Sequence, residues 1–157
     1  MGFDAEREAT GLSGALRTLA PDPVDPAPII RTALPFYGAG LQDMKHLAAT
    51  WAREHPEADP AEVLTLADVL WETSIREEMV TATMLLDRRP DARDRFGVRR
   101  YDRWARLLDN WETTDNLGGR VLGPWAAADP NDRLGVLERF AGRRNPWLRR
   151  LALVGCV

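Results

Sequence analysis

A chain of 157 residues with 45% apolar side chains has the length of one domain and can bury roughly two-thirds of its unfolded surface, so neither disulfides nor a structural metal is needed to hold it together. The single cysteine, Cys156, excludes an internal disulfide framework and a Cys-rich zinc site, and His46 and His55 are spaced to fit no common metal motif. The formal charge of −3 is unevenly spread: residues 1–87 hold 15 acidic and 6 basic side chains, a net of −9, while residues 88–157 hold 15 arginines and 9 acidic side chains, a net of +6.

The opening, Met-Gly-Phe-Asp-Ala-Glu, is acidic and lacks the basic and apolar regions of a signal peptide, and Glu6 stands where a myristoylation signal needs Ser or Thr. No apolar run approaches the roughly 18 residues of a membrane span. The expectation is a reduced, cytoplasmic globular domain with no cofactor, no metal and no membrane partner. Residues 1–28, with Pro21, Pro23, Pro26 and Pro28 among small and acidic residues, read as a flexible leader or a short helix followed by an extended link. From there to the end, residues 29–157, no period-2 alternation and no hairpin dipeptide occurs, and helical punctuation is abundant.

Leu41, Met44, Leu47, Ala48 and Trp51 form one apolar stripe over residues 41–54. Asp59-Pro60-Ala61-Glu62 supplies the cap, first-turn proline and third-position acid of a helix running to about Trp71. Ser74-Ile75-Arg76-Glu77 predicts a capping box, and Pro90 a stop. Further helices are expected over residues 99–109, from Asn110 toward Ala127, from Pro130, and after Asn145-Pro146. Helix pairs thus begin near Pro60, Arg99 and Pro130, spaced by 39 and 31 residues, within the range of α-helical repeat arrays. The fold class is all-α; a non-repetitive helical bundle fits the pattern as well as an α-solenoid does.

The most informative chemistry lies in Asp109-Asn110-Trp111-Glu112-Thr113-Thr114-Asp115-Asn116. Trp111 and Asp115 are i and i+4, so on a helix they share a face. With Asn110 or Asp109 as cap, Asp115 sits near the helix start, where the dipole favours an ionised carboxylate. A carboxylate beside an aromatic face suits a cation, by charge and by ring quadrupole, and suits general-acid work poorly. The same spacing also fits a core tryptophan with an acid that merely answers the dipole. Arg99, Arg100, Arg103 and Arg106 precede this segment, and Arg143, Arg144, Arg149 and Arg150 cluster around the last helix. Guanidinium forks pair phosphate, and the free N–H groups after Asn145-Pro146 favour anions. The basic half reads as a polyanion-binding surface; alternatively, 20 of the 21 basic residues are Arg, which GC-rich codon usage alone produces. Trp51, Trp71, Trp104, Trp125 and Trp147 lie among aliphatics and read as core, and Gly118-Gly119 could kink the helix after Asp115.

Four segments in order resemble one family: Phe36-Tyr37-Gly38 with the helix to Trp51; Leu70-Trp71-Glu72 through Glu77-Glu78 and Leu85-Leu86; Asp109-Asn110-Trp111-Glu112-Thr113-Thr114-Asp115; and Asn145-Pro146-Trp147-Leu148-Arg149-Arg150. They look like the DNA alkylation repair enzymes of the AlkD-like kind, HEAT-repeat DNA glycosylases. The resemblance implies an α-solenoid over residues 29–157 whose basic face holds duplex DNA. It also implies hydrolysis of the N-glycosidic bond of cationic N3- and N7-alkylated purines, at a nucleoid-associated location. Carried over by position, Asp115 is the catalytic carboxylate, Trp111 lines the lesion cleft and Arg150 contacts DNA; Arg143, Arg144 and Arg149 extend the DNA-binding set. A non-catalytic HEAT-like module binding nucleic acid or protein is the rival reading. Glu112 departs from the family's usual Asp, and the family's domain continues beyond the point at which this sequence ends. The apolar run after Arg150 is accordingly read as truncation or as a seam for self-association.

Overall fold

A computed structural model describes residues 2–20, 23 and 25–157, and every regular element among them is helical. In chain order these are α1 (Ala5–Thr18), α2 (Ala27–Ile30), α3 (Leu41–Glu54), α4 (Pro60–Glu72), α5 (Arg76–Arg88), α6 (Pro90–Arg93), α7 (Val98–Trp104), α8 (Trp111–Leu117), α9 (Gly123–Ala128), α10 (Pro130–Ala141) and α11 (Pro146–Val154). A 3-10 turn, Ala105–Leu107, follows α7, and a π-helical turn, Gly118–Leu122, joins α8 to α9. Part of the Pro-rich link expected within residues 1–28 falls on Pro21, Asp22 and Val24, which lie outside the described residues.

The helices form two layers. In one, α3 packs on α5, α5 on α8 and α8 on α11; in the other, α1 packs on α4, and side chains continue the row through α7 to α10. Sequential pairs such as α4–α5 and α10–α11 pack across the layers, which is the arrangement of an α-solenoid. The segment read as a leader contributes α1, whose Ala9, Leu12 and Leu16 are buried against this core and whose Glu8 accepts a 3.0 Å hydrogen bond from the Trp51 indole.

Local chemistry explains most boundaries. The Asp59 carboxylate accepts from the Ala61 amide at 2.8 Å while Glu62 accepts from the Asp59 amide at 2.9 Å, so α4 starts with reciprocal capping. The box expected at Ser74 does not form. Ser74 takes a left-handed conformation (φ 56°), its place as local acceptor goes to the Thr73 hydroxyl, and Glu77 turns inward to other partners. Residues 35–39 cover the start of α5 instead: the Pro35 carbonyl accepts the Arg76 amide at 3.0 Å. The helix expected over residues 99–109 tightens after Trp104 into the 3-10 turn and stops before Asp109.

Where α4 meets α7, the Trp71 and Trp104 rings stack at 4.2 Å, both fully buried. Each indole N–H is satisfied, Trp71 by the Trp104 carbonyl at 3.1 Å and Trp104 by Asp68 at 2.8 Å, so burial of two large rings leaves no orphan donor. Trp51 and Trp125 are buried and Trp147 packs against the core edge, as their aliphatic neighbours suggest.

Candidate functional site

Helix α8 is short, and its front is fastened by side chains. Asn110, fully buried, caps it by accepting the Thr113 amide at 3.0 Å, and its own amide nitrogen donates to Asp109 at 2.7 Å. The Asp109 carboxylate in turn accepts the Thr32 hydroxyl at 2.8 Å and the Ala33 amide at 3.0 Å. The residues just after α2 are therefore tied to the entrance of α8. The Trp111 indole reaches the Ile29 carbonyl at 3.4 Å on the same side.

Underneath, Glu112 is buried and meets a guanidinium fork. Arg76 donates to its two oxygens at 2.6 and 2.7 Å, and also to Glu77 at 2.9 Å and the Ala39 carbonyl at 3.2 Å. Glu77 completes the arrangement by accepting the Tyr37 and Gly38 amides, both at 2.9 Å. Burial pulls the Arg76 guanidinium toward losing its proton, and the paired carboxylates of Glu112 and Glu77 more than reverse that, so its affinity for the proton ends above the ordinary value. The role of Glu112 is thus internal, and its longer side chain spans to Arg76 without disturbing the outward face.

At the rear, the helix widens. Pro124 lacks an amide hydrogen and its ring would collide with a carbonyl one turn earlier; the π turn at Gly118–Leu122 opens the spiral just ahead of it. The same stretch lies directly on α11. A Cβ on Gly118 would sit 3.0 Å from the Val154 side chain, and one on Gly123 would sit 2.8 Å from the Gly155 carbonyl oxygen. These missing methyl groups let α11 approach closely enough for a side chain to cross to α8.

That side chain is Arg150. Its Nε and Nη2 donate to the two oxygens of Asp115 at 2.6 and 2.7 Å, a bidentate pair in which both carboxylate oxygens accept. The hydrogen-bonded Asp115 raises the Arg150 proton affinity above its ordinary value. Glu112, Thr113 and Thr114 face inward, while Trp111 is 38% exposed and the Asp115 side chain 30%, so one edge of α8 offers an indole face and a carboxylate to the outside.

Other arginines of the basic half differ in their partners. Arg100 and Arg103 pair with Asp68, Arg103 also with Glu72, and Arg120 with Asp87. Part of the basic half therefore neutralises the acidic half between neighbouring helices of the same layer. Arg149 turns back to the Arg143 and Arg144 carbonyls at 3.1 and 2.7 Å, closing the link between α10 and α11. Arg99, Arg106, Arg143 and Arg144 are exposed and have no carboxylate partner among the described residues. The structure thus pairs Asp115 with Arg150, sets Trp111 one turn away on the same edge of α8, places Arg143 and Arg144 in the link leading to α11 and Arg149 in its first turns, and pairs Arg100 and Arg103 with acids.

Residues 27–157 match the profile of a protein family described as DNA alkylation repair enzyme. The chain belongs to this family. No curated protein and no solved structure gives a significant match to it. The all-helical architecture agrees with the family's, and the matched stretch covers every residue of the α8–α11 site together with the loop that Asp109 holds. In this DNA alkylation repair family member, none of the helices among the described residues is long and apolar enough to cross a membrane. Sequence reasoning missed the parts played by Thr32, Arg76, Asp109 and Glu112. A signal existed for one of them: Arg76 is a lone cation in the first turn of α5, where the dipole favours acids, and a cation there calls for a carboxylate from elsewhere.

Proposed function

We propose that this protein is a DNA glycosylase that hydrolyses the N-glycosidic bond of cationic N3- or N7-alkylated purines in duplex DNA. The observation that carries the reading is the part-exposed Asp115 carboxylate, gripped through both oxygens by Arg150 on the same edge of α8 as the Trp111 indole.

An alkylated purine already bears a positive charge, so it departs without a general acid. The electron pair of the breaking C1′–N bond moves to the base and neutralises it, leaving positive charge on the deoxyribose. Asp115 stabilises that charge and orients a water. The water oxygen bonds to C1′ and its proton passes to solvent, which yields an abasic site and a neutral free base. Trp111 supplies a π face to the cationic nucleotide.

In the DNA-free protein both Asp115 oxygens are taken by Arg150, so turnover requires that fork to be released. A backbone phosphate offers the guanidinium an equivalent bidentate acceptor, and transfer of Arg150 from carboxylate to phosphate frees Asp115 as DNA docks. Arg143, Arg144 and Arg149, in the link before α11 and in its first turns, extend the contact along the backbone. The rival, a DNA-binding module without catalysis, is favoured by that same closed pair if it never opens. Release of 7-methylguanine from methylated duplex DNA, compared between the native protein and Asp115→Asn, decides between them: equal release, or none from either, removes the glycosylase.

A further inference from the structure

A cavity of about 380 Å³ lies between the tail of α7, α10 and the start of α11, and of its lining residues the proposed DNA contact draws on Arg143 alone. Its apolar floor is Ala105, Phe140 and Leu148, and its polar rim is Asp102, Arg106, Arg143 and Asn145. The acid on the rim is already satisfied, because Arg139 grips Asp102 through both nitrogens at 2.9 and 3.0 Å. Arg106 and Arg143 carry two further charges with no carboxylate partner among the described residues. The Asn145 side-chain oxygen is committed to the Trp147 amide at 2.9 Å, which leaves its amide nitrogen as a third donor at the rim. The cavity is distinct from the Asp115 edge: Leu148, which lines it, and Arg150, which reaches Asp115, are two residues apart on α11 and so point about 200° apart around the helix.

We infer that this cavity is a phosphate-binding site, in which Arg106 and Arg143 close on one phosphoryl group while the Phe140–Leu148 floor takes the apolar edge of the group attached to it. Two unpaired guanidinium groups at the mouth of one cavity repel each other, and an anion between them turns that repulsion into two charge-assisted pairs. The phosphoryl group can belong to the DNA backbone, giving a second anchor on the far side of α11 from Asp115, or to a free nucleotide. The chemistry of the site is the same for both.

Arg106→Gln, Arg143→Gln and the double variant are compared with the native protein for binding of inorganic phosphate, deoxyguanosine 5′-monophosphate and undamaged duplex DNA. Phosphate and nucleotide binding is read by isothermal titration calorimetry, and DNA binding by the salt dependence of the affinity. The double variant is expected to weaken phosphate and nucleotide binding by roughly tenfold or more, as loss of charge-assisted bonds implies. If the DNA backbone is the source, it also lowers the slope of log K against log salt by about 0.9. A weaker nucleotide with an unchanged DNA slope assigns the site to a free nucleotide. Thermal midpoints stay level, since neither side chain has an ionic partner to lose. Unchanged anion binding together with an unchanged slope overturns the inference, and so does a loss of affinity that tracks unfolding. Undamaged DNA is used throughout, so a failure of base release at Asp115 leaves this result intact.

Discussion

Replacing Asp115 by Asn separates the chemical role of the carboxylate from its structural one. The pair with Arg150 is half-exposed, with 45% of the arginine and 30% of the aspartate side chain open to solvent, so water screens it. A surface ion pair of this kind contributes about 0.2–1 kcal/mol. At about 2–4 °C per kcal/mol for a chain of this size, the thermal midpoint should fall by less than about 4 °C. The rate should fall far more: loss of one preorganised electrostatic partner of a transition-state charge costs about 10²–10³, or roughly 2.7–4 kcal/mol. Affinity for undamaged DNA moves the other way. The substitution removes a negative charge beside the backbone and frees Arg150, so binding should stay level or tighten by up to about fivefold, about 1 kcal/mol. Single-turnover release of 7-methylguanine with protein in excess, anisotropy on an undamaged duplex and a thermal melt give the three readings. Native-like release by Asp115→Asn refutes the reasoning, and so does a loss of release that accompanies a collapse in midpoint or in DNA binding.

Breaking the buried pair by Arg76→Met strands the Glu112 and Glu77 carboxylates and should cost about 3–5 kcal/mol in a denaturant melt, whereas Glu112→Gln leaves Arg76 paired with Glu77 and should cost less. Gly123→Ala drives a methyl group against the Gly155 carbonyl, 2.8 Å away, and should lose about 1–3 kcal/mol along with the Asp115–Arg150 contact. Gly119→Ala, whose added carbon finds Val154 at an ordinary 3.8 Å, should match or exceed native stability; a loss there equal to that at Gly123 contradicts the close-approach argument. Tyr101 is fully buried, its hydroxyl has no partner among the described residues, and burial pushes its proton affinity well above the usual value near 10. The native state then keeps the proton to higher pH than the unfolded chain does, so its contribution is complete below about pH 10 and fades above it. Tyr101→Phe should flatten that alkaline decline in a stability–pH curve and leave neutral stability unchanged or improved.

The helices were legible where capping chemistry and apolar spacing coincide. The stripe from Leu41 to Trp51 and the Asp59–Glu62 start gave α3 and α4 their limits, because those signals act within one turn. Ser74 misled because a local motif competed with a distant one: Glu77 gains two loop amides and a guanidinium by turning inward, more than a single capping bond provides. The orientation of α8 was legible in the spacing of Trp111 and Asp115, since helical geometry alone places them on one edge. The partner of Asp115 was not derivable from spacing, because Arg150 reaches it only through the close approach at Gly118 and Gly123. Likewise the charge asymmetry suggested one continuous basic surface, whereas Arg100, Arg103 and Arg120 find their acids in the other half of the chain. Composition carries the sign of a charge and not its neighbour.

The clasp between Thr32 and Asp109 spans 77 positions of sequence. During synthesis the hook leaves the ribosome long before its eye, and Arg150 emerges later still. Contacts so far apart in sequence form slowly, because a large loop must close before they stabilise anything. The helical scaffold can therefore assemble progressively while the Asp115–Arg150 pair stays unformed until the last two helices arrive, and a nascent chain stalled before then carries the framework without that pair.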